Sequence, residues 1–276
     1  MDKIERLRNR IAELESERAF KGRSYLEGLT GFPGVLPGQG FFPGGDGLWR
    51  NIPSLTDTPP FPVGGVVVLG NDFGCEDNPD PKNPGFIQCL DRGFEDPPTW
   101  GIKETLRKAH TPGESCFFTN SYLGLRTKTD SANPCESTGP SPGVQNGTFT
   151  EMCRAFLAFQ IETQRPRMIV CLGHEPRMFA APILLPAKHA WNRKNLSFPR
   201  LDLECEQVLR ASTRLIGGDV LASVMVVIAH PSFAFATYSK PASMRTFEGH
   251  SGEAAELCLL REAWQAAQQL DADHSS

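Results

Sequence analysis

Four short runs dominated by apolar residues stand out along the chain, at positions 66–69, 115–119, 168–172 and 224–229. Each leads into a polar or glycine-rich turn and usually into a stretch with helical spacing. Successive side chains of a strand point to opposite faces, so a strand that is apolar at every position needs cover on both sides. The pattern predicts an α/β fold, a three-layer αβα sandwich around a central four-stranded parallel sheet. Helices are expected over 99–109, 149–163, 203–215 and 253–270. Thr148-Phe149-Thr150-Glu151 reads as a capping box opening the second of these, and Ser251 is placed to cap the last.

Ahead of this pattern, Ile4, Leu7, Ile11 and Leu14 recur at spacings of three and four with charges between them, which predicts an amphipathic helix over residues 2–19. Such a helix can pack on its own domain, pair with a partner chain or form a dimer. Residues 21–65 are dense in Gly, Pro and Phe; Phe32, Phe41, Phe42 and Trp49 favour burial, so an anchored irregular segment is expected there rather than a loose linker. The expected organisation is a helix over 1–20, an irregular segment over 21–65 and an α/β domain over 66–276.

Composition narrows the function classes. The 276 residues are 39% hydrophobic and 22% charged, enough apolar content for a buried sheet and too much for a disordered chain. No apolar run approaches the roughly 20 residues that cross a bilayer, and the charged N-terminus lacks the features of a secretory signal. The expectation is a cytoplasmic or nuclear protein with no membrane partner. Eight cysteines show no CxxC pair, so zinc and iron–sulfur sites are not expected, and Cys116 and Cys171 read as buried free thiols. The net charge of −4 gives no global attraction to nucleic acid. One stretch differs: residues 165–200 carry seven Lys/Arg against one acid, a candidate phosphate-facing surface as well as an ordinary solvated face.

A parallel sheet presents its ligand site beyond the carboxyl ends of its strands. There the chain places Asp72 within Gly70-Asn71-Asp72-Phe73-Gly74, Asn120 at the end of Phe118-Thr119-Asn120, and His230 in His230-Pro231-Ser232-Phe233-Ala234-Phe235. A carboxylate, a side chain that both donates and accepts, and a titratable imidazole suit polar-bond cleavage beside a base edge. Singly, each is also a common turn residue.

In this order and spacing they resemble the uracil-DNA glycosylase superfamily, over roughly residues 66–265. The first turn is similar to the family's GQDPY-like or GxNPG-like turn, Asn120 to its strand-ending Asn, and His230-Pro231-Ser232 to its HPS turn. Arg245-Thr246-Phe247-Glu248-Gly249-His250-Ser251 precedes the last helix much as a His-x-Ser stretch does in the uracil-specific enzymes. The resemblance implies a monofunctional DNA N-glycosylase, with DNA as partner and no cofactor. Asp72 and His230 would be catalytic, the first stabilising the sugar cation and the second donating to the departing base. Asn71, Phe86 and Asn120 would hold the extruded base, Phe86 by stacking. Ser232, Phe233, Phe235 and Ser251 would contact DNA, the two phenylalanines as a wedge or, equally, as core.

Two departures bear on substrate. Gly74 stands where strict uracil enzymes carry a tyrosine that blocks the pyrimidine C5, so a modified, 5-substituted pyrimidine is expected to fit. Phe73 replaces the usual proline. Within the superfamily such breadth accompanies DNA repair or defence against phages with modified bases. The alternative from another class is a non-catalytic module that binds a modified base in the same pocket.

Overall fold

The computed structural model describes residues 64–72, 102–111, 116–122, 147–186, 188–194, 196–215, 218–231 and 244–273, together with single positions 6, 9, 10 and 13. The chain divides into two compact units, one of Met1–Phe61, Asn71–Pro98 and Phe118–Gln160, the other of Pro62–Gly70, Thr99–Phe117 and Ile161–Ser276.

The fold is α/β with a mostly parallel sheet of five strands rather than the expected four. In chain order the elements are β1 (Val66–Gly70), α1 (Ile102–Lys108), β2 (Phe117–Asn120), α2 (Gly147–Gln164), β3 (Met168–Leu172), α3 (His174–Leu184), α4 (Phe198–Glu204), β4 (Val208–Arg214), β5 (Val220–Ile228), β6 (Thr246–Phe247), β7 (His250–Ser251) and α5 (Glu253–Asp273). The sheet order is β2-β1-β3-β5-β4, and β6 and β7 form a separate hairpin. β1, β3 and β5 run parallel in matched register, with Leu69 beside Cys171 and Leu172 beside Ile228. These three strands therefore end at one level. Every residue of β1 and β3 is buried, as both faces of a covered parallel sheet demand. The α5 face built from Ala255, Leu259, Ala263 and Ala267, each fully buried, recurs every four residues and packs on β5.

The fifth strand corrects the expected helix over 203–215. The helical turn there is α4, which ends at Glu204, and β4 then pairs antiparallel with β5 from Val208 beside Val226 to Arg214 beside Val220. Leu209 and Ala211 are buried while Arg210 and Ser212 face out, a period of two that a window of helical spacing had absorbed. An antiparallel edge is a common finish to an otherwise parallel sheet, and the two arginines on β4 discourage further pairing along its open side.

Two helix starts also shift. α2 begins at Gly147, one residue ahead of the expected capping residue Thr148. Ser251 belongs to β7, and α5 begins after Gly252, whose carbonyl accepts from the Glu256 N–H at 3.2 Å. Of the expected N-terminal helix, Arg6, Asn9, Arg10 and Glu13 are helical, and the Arg6 guanidinium lies 5.7 Å from the centre of the Phe159 ring on α2. The expected irregular segment lies outside the described residues up to position 63. Cys116 and Cys171 are free and fully buried, and desolvation pushes the Cys171 thiol up to about 12, so both behave as small apolar groups.

Candidate functional site

Two groups of chemistry-bearing residues follow the carboxyl ends of the parallel strands. In the first unit, Asn71 and Asp72 are half-buried and leave β1 directly after Gly70. Their turn is tied to the turn after β2: the Tyr122 N–H donates to the Asn71 carbonyl at 2.9 Å. The Asn71 side-chain amide donates to the Asp72 carboxylate at 3.4 Å, a long bond at the limit of useful geometry. The Asn71 side-chain oxygen is buried and accepts no hydrogen bond among the described residues. Asn120, half-buried, ends β2. Its neighbour Thr119 is buried and donates its hydroxyl to the Gln160 side-chain oxygen on α2 at 2.6 Å. This unit therefore brings the Asn71-Asp72 turn and the turn that Asn120 opens into one hydrogen-bonded group, with an acceptor left unmet.

In the second unit, His230 is half-buried two residues past the end of β5, and Pro231 fixes the backbone that follows. The preceding residue, Ala229, donates its N–H to the Glu256 carboxylate at 2.6 Å. Glu256 is 1% exposed and sits in the first turn of α5, where the unpaired N–H groups of the helix favour an anion. Nearby, Arg245 and Asp202 form an ion pair at 2.6 Å with side chains 0% and 1% exposed. The same guanidinium donates to the Val227 carbonyl and lies 4.8 Å from the centre of the Phe198 ring. Asp202 also accepts from the Thr246 N–H at 3.1 Å, which ties α4 to the β6–β7 hairpin.

His174 was missed from sequence. It follows Gly173 at the end of β3, where the Gly173 N–H donates to the Ile228 carbonyl at 2.8 Å, beside the strand that leads to His230. Gly173 takes a φ of 101°, a backbone that side chains resist, so the glycine is what allows β3 to turn straight into α3. The His174 ring packs on Phe198 at 4.1 Å between centres, and its Nδ1 is buried with no hydrogen-bond partner among the described residues. Burial, then the Arg177 and Arg245 charges, push its pKa down to about 4 against the pull of Asp202. It is a neutral imidazole at physiological pH. The signal for it is its place at a strand end: His174 follows β3 as Asp72, Asn120 and His230 follow or end β1, β2 and β5.

Other expected site residues fall differently. Ser251 is exposed and pairs with Thr246 in the hairpin. Phe73, Gly74, Phe86, Ser232, Phe233 and Phe235 lie outside the described residues. The basic stretch over 165–200 does not form one cationic face. Arg177 is fully buried and donates to the Trp191 and Arg193 carbonyls, holding the loop around Trp191. Arg193 and Arg200 both pair with Glu204, at 2.8 Å each, and Arg165 reaches Asp219 at 3.4 Å. Lys188 and Lys194 are exposed. The acids that neutralise this stretch lie outside it in sequence, which is why a local charge count overstated it.

Compared with models of known families and with curated protein sequences, the chain matches none.

Proposed function

We propose that the chain is a monofunctional DNA N-glycosylase that hydrolyses the bond between deoxyribose and an extruded uracil-like or 5-substituted pyrimidine, leaving an abasic site. The observation that carries this reading is the group at Asn71 and Asp72: a half-buried carboxylate just past β1, with an amide donor on it and an unmet acceptor beside it.

Breaking the N-glycosidic bond sends the bonding pair to the base nitrogen and leaves positive charge on the sugar carbon. In this reading Asp72 stabilises that charge, orients the water whose oxygen joins the carbon and takes up the proton that the water releases, while the base leaves as an anion that solvent protonates. His230 donates a hydrogen bond to the base oxygen as negative charge collects there. Asn120 and Asn71 supply the donor and acceptor that read the base edge, and the unmet Asn71 oxygen suits an N–H of the base. Phe86 stacks on the base, and Ser232, Phe233, Phe235 and Ser251 serve the DNA backbone and the gap left by extrusion. Gly74 in place of a bulky side chain is the basis for accepting a C5 substituent. A cytoplasmic setting, in repair or in defence against modified phage DNA, accords with the chemistry.

The test is release of free base, detected by mass spectrometry, from oligonucleotides carrying uracil, 5-hydroxymethyluracil or glucosylated 5-hydroxymethylcytosine. Alkali-labile sites are expected with at least one of them. Tight binding to modified DNA without any abasic product would replace this reading with that of a base-binding module.

A further inference from the structure

The last backbone groups of β5 before His230 are gripped by two buried charged side chains that the proposed chemistry leaves without a role. Arg245, fully buried, donates to the Val227 carbonyl. The Gly173 N–H donates to the Ile228 carbonyl at 2.8 Å. Glu256, 1% exposed, accepts from the Ala229 N–H at 2.6 Å. Three successive residues thus each have a backbone group tied, and His230 comes next. Both charged side chains belong to residues 245–256, the segment that runs through the β6–β7 hairpin into the first turn of α5.

Neutral backbone partners could end the sheet without burying charge, whereas each buried ion costs several kcal/mol of desolvation before it is compensated. Asp202 compensates Arg245, and the amino end of α5 favours Glu256. What this expense provides is directional, charge-assisted bonding to a short backbone stretch, stronger than a neutral rung. We propose that Glu256 and Arg245 are positioning residues that hold the β5 exit so that the His230 imidazole stays aimed at the leaving base. The inference rests on the reading of His230 given above and names how that group is kept in place.

The experiment uses the full chain with Glu256→Ala and Glu256→Gln. It reads single-turnover cleavage at saturating enzyme, the Kd for uncleaved DNA, and the ¹⁵N imidazole signals of His230 without DNA. Misplacing a reacting group by about 1 Å costs on the order of 100-fold in rate, so Glu256→Ala is expected to slow cleavage by about 10- to 100-fold while Kd stays within about threefold. Its His230 signals shift, and those of His189 do not. Glu256→Gln keeps an acceptor oxygen at the same place but gives up the charge, so its rate is expected to fall between those of Glu256→Ala and wild type, about three- to tenfold below wild type. Wild-type cleavage by a folded Glu256→Ala, or unmoved His230 signals, would overturn the proposal. Should Glu256→Ala fail to fold, Glu256→Gln carries the test, and a wild-type rate with unmoved His230 signals there would overturn the proposal. A wild-type protein that releases no base would instead sink the glycosylase reading, and the His230 signals would still decide the clamp.

Discussion

The turn after β1 includes a backbone bond of 2.9 Å and a long, half-buried amide–carboxylate bond of 3.4 Å, whereas the approach to His230 is held by fully buried charges at 2.6 Å. A backbone bond contributes about 1 kcal/mol, and a side-chain bond as long as 3.4 Å holds its partners weakly and leaves room for a side chain to reorient toward a ligand. Buried charges are expensive to separate and fix geometry before any ligand arrives. The difference suggests a division of labour. On the reading proposed above, the Asn71-Asp72 turn adapts to the nucleotide, with an acceptor still to be met among the described residues, and the β5 exit before His230 is set in advance.

Removing charge from the second unit should therefore cost far more stability than trimming the first. Arg245→Met strands Asp202 in the interior, and a loss of about 3–5 kcal/mol is expected in urea unfolding. If the loss were under about 1 kcal/mol, the pair would not be the anchor described.

His174 gives the next largest effect, through pH. Its folded pKa, about 4, lies below the ordinary histidine value, so between about pH 6.5 and 4 the unfolded chain takes up a proton that the folded protein refuses. Stability is full above that window and falls as pH drops through it. The loss is on the order of 2 kcal/mol, discounted for the part of the ring that solvent reaches. In His174→Phe the slope over that window should flatten, which thermal melts at several pH values will show.

In the first unit, Thr119→Val keeps the shape and removes the hydroxyl that satisfies Gln160, and about 1–2 kcal/mol is expected. The smallest effect belongs to the surface. Glu104→Ala breaks an exposed pair with Arg107 on α1 and should leave the midpoint of the same unfolding titration unchanged within error.

Much of the frame was legible in the sequence because burial on both faces leaves continuous apolar runs. β1 and β3 fall where their runs lie, and Asn120 ends β2 as its turn residues indicate. β4 was not legible as a strand because Val208, Ala211 and Leu215 also fit a helical stripe at spacings of three and four; only pairing with β5 decides between the two periods. Arg177 read as surface charge because a basic residue gives no sign of the carbonyls that will surround it. Glu256 was hidden for a related reason. An acid in the first turn of a helix reads as a complement to the helix dipole, and its reach to Ala229 across 27 positions is a product of packing. Residues that follow strand ends can be picked out from the sequence, though His174 was not; bonds that arise where distant segments meet cannot.

The central claim is that Asp72 stabilises charge on the sugar during base release, and single-turnover cleavage by Asp72→Asn tests it most directly. The substitution keeps the size of the side chain and removes its charge, so folding should hold and the rate should fall by at least about 100-fold. A folded Asp72→Asn protein that releases base as fast as wild type would contradict the account.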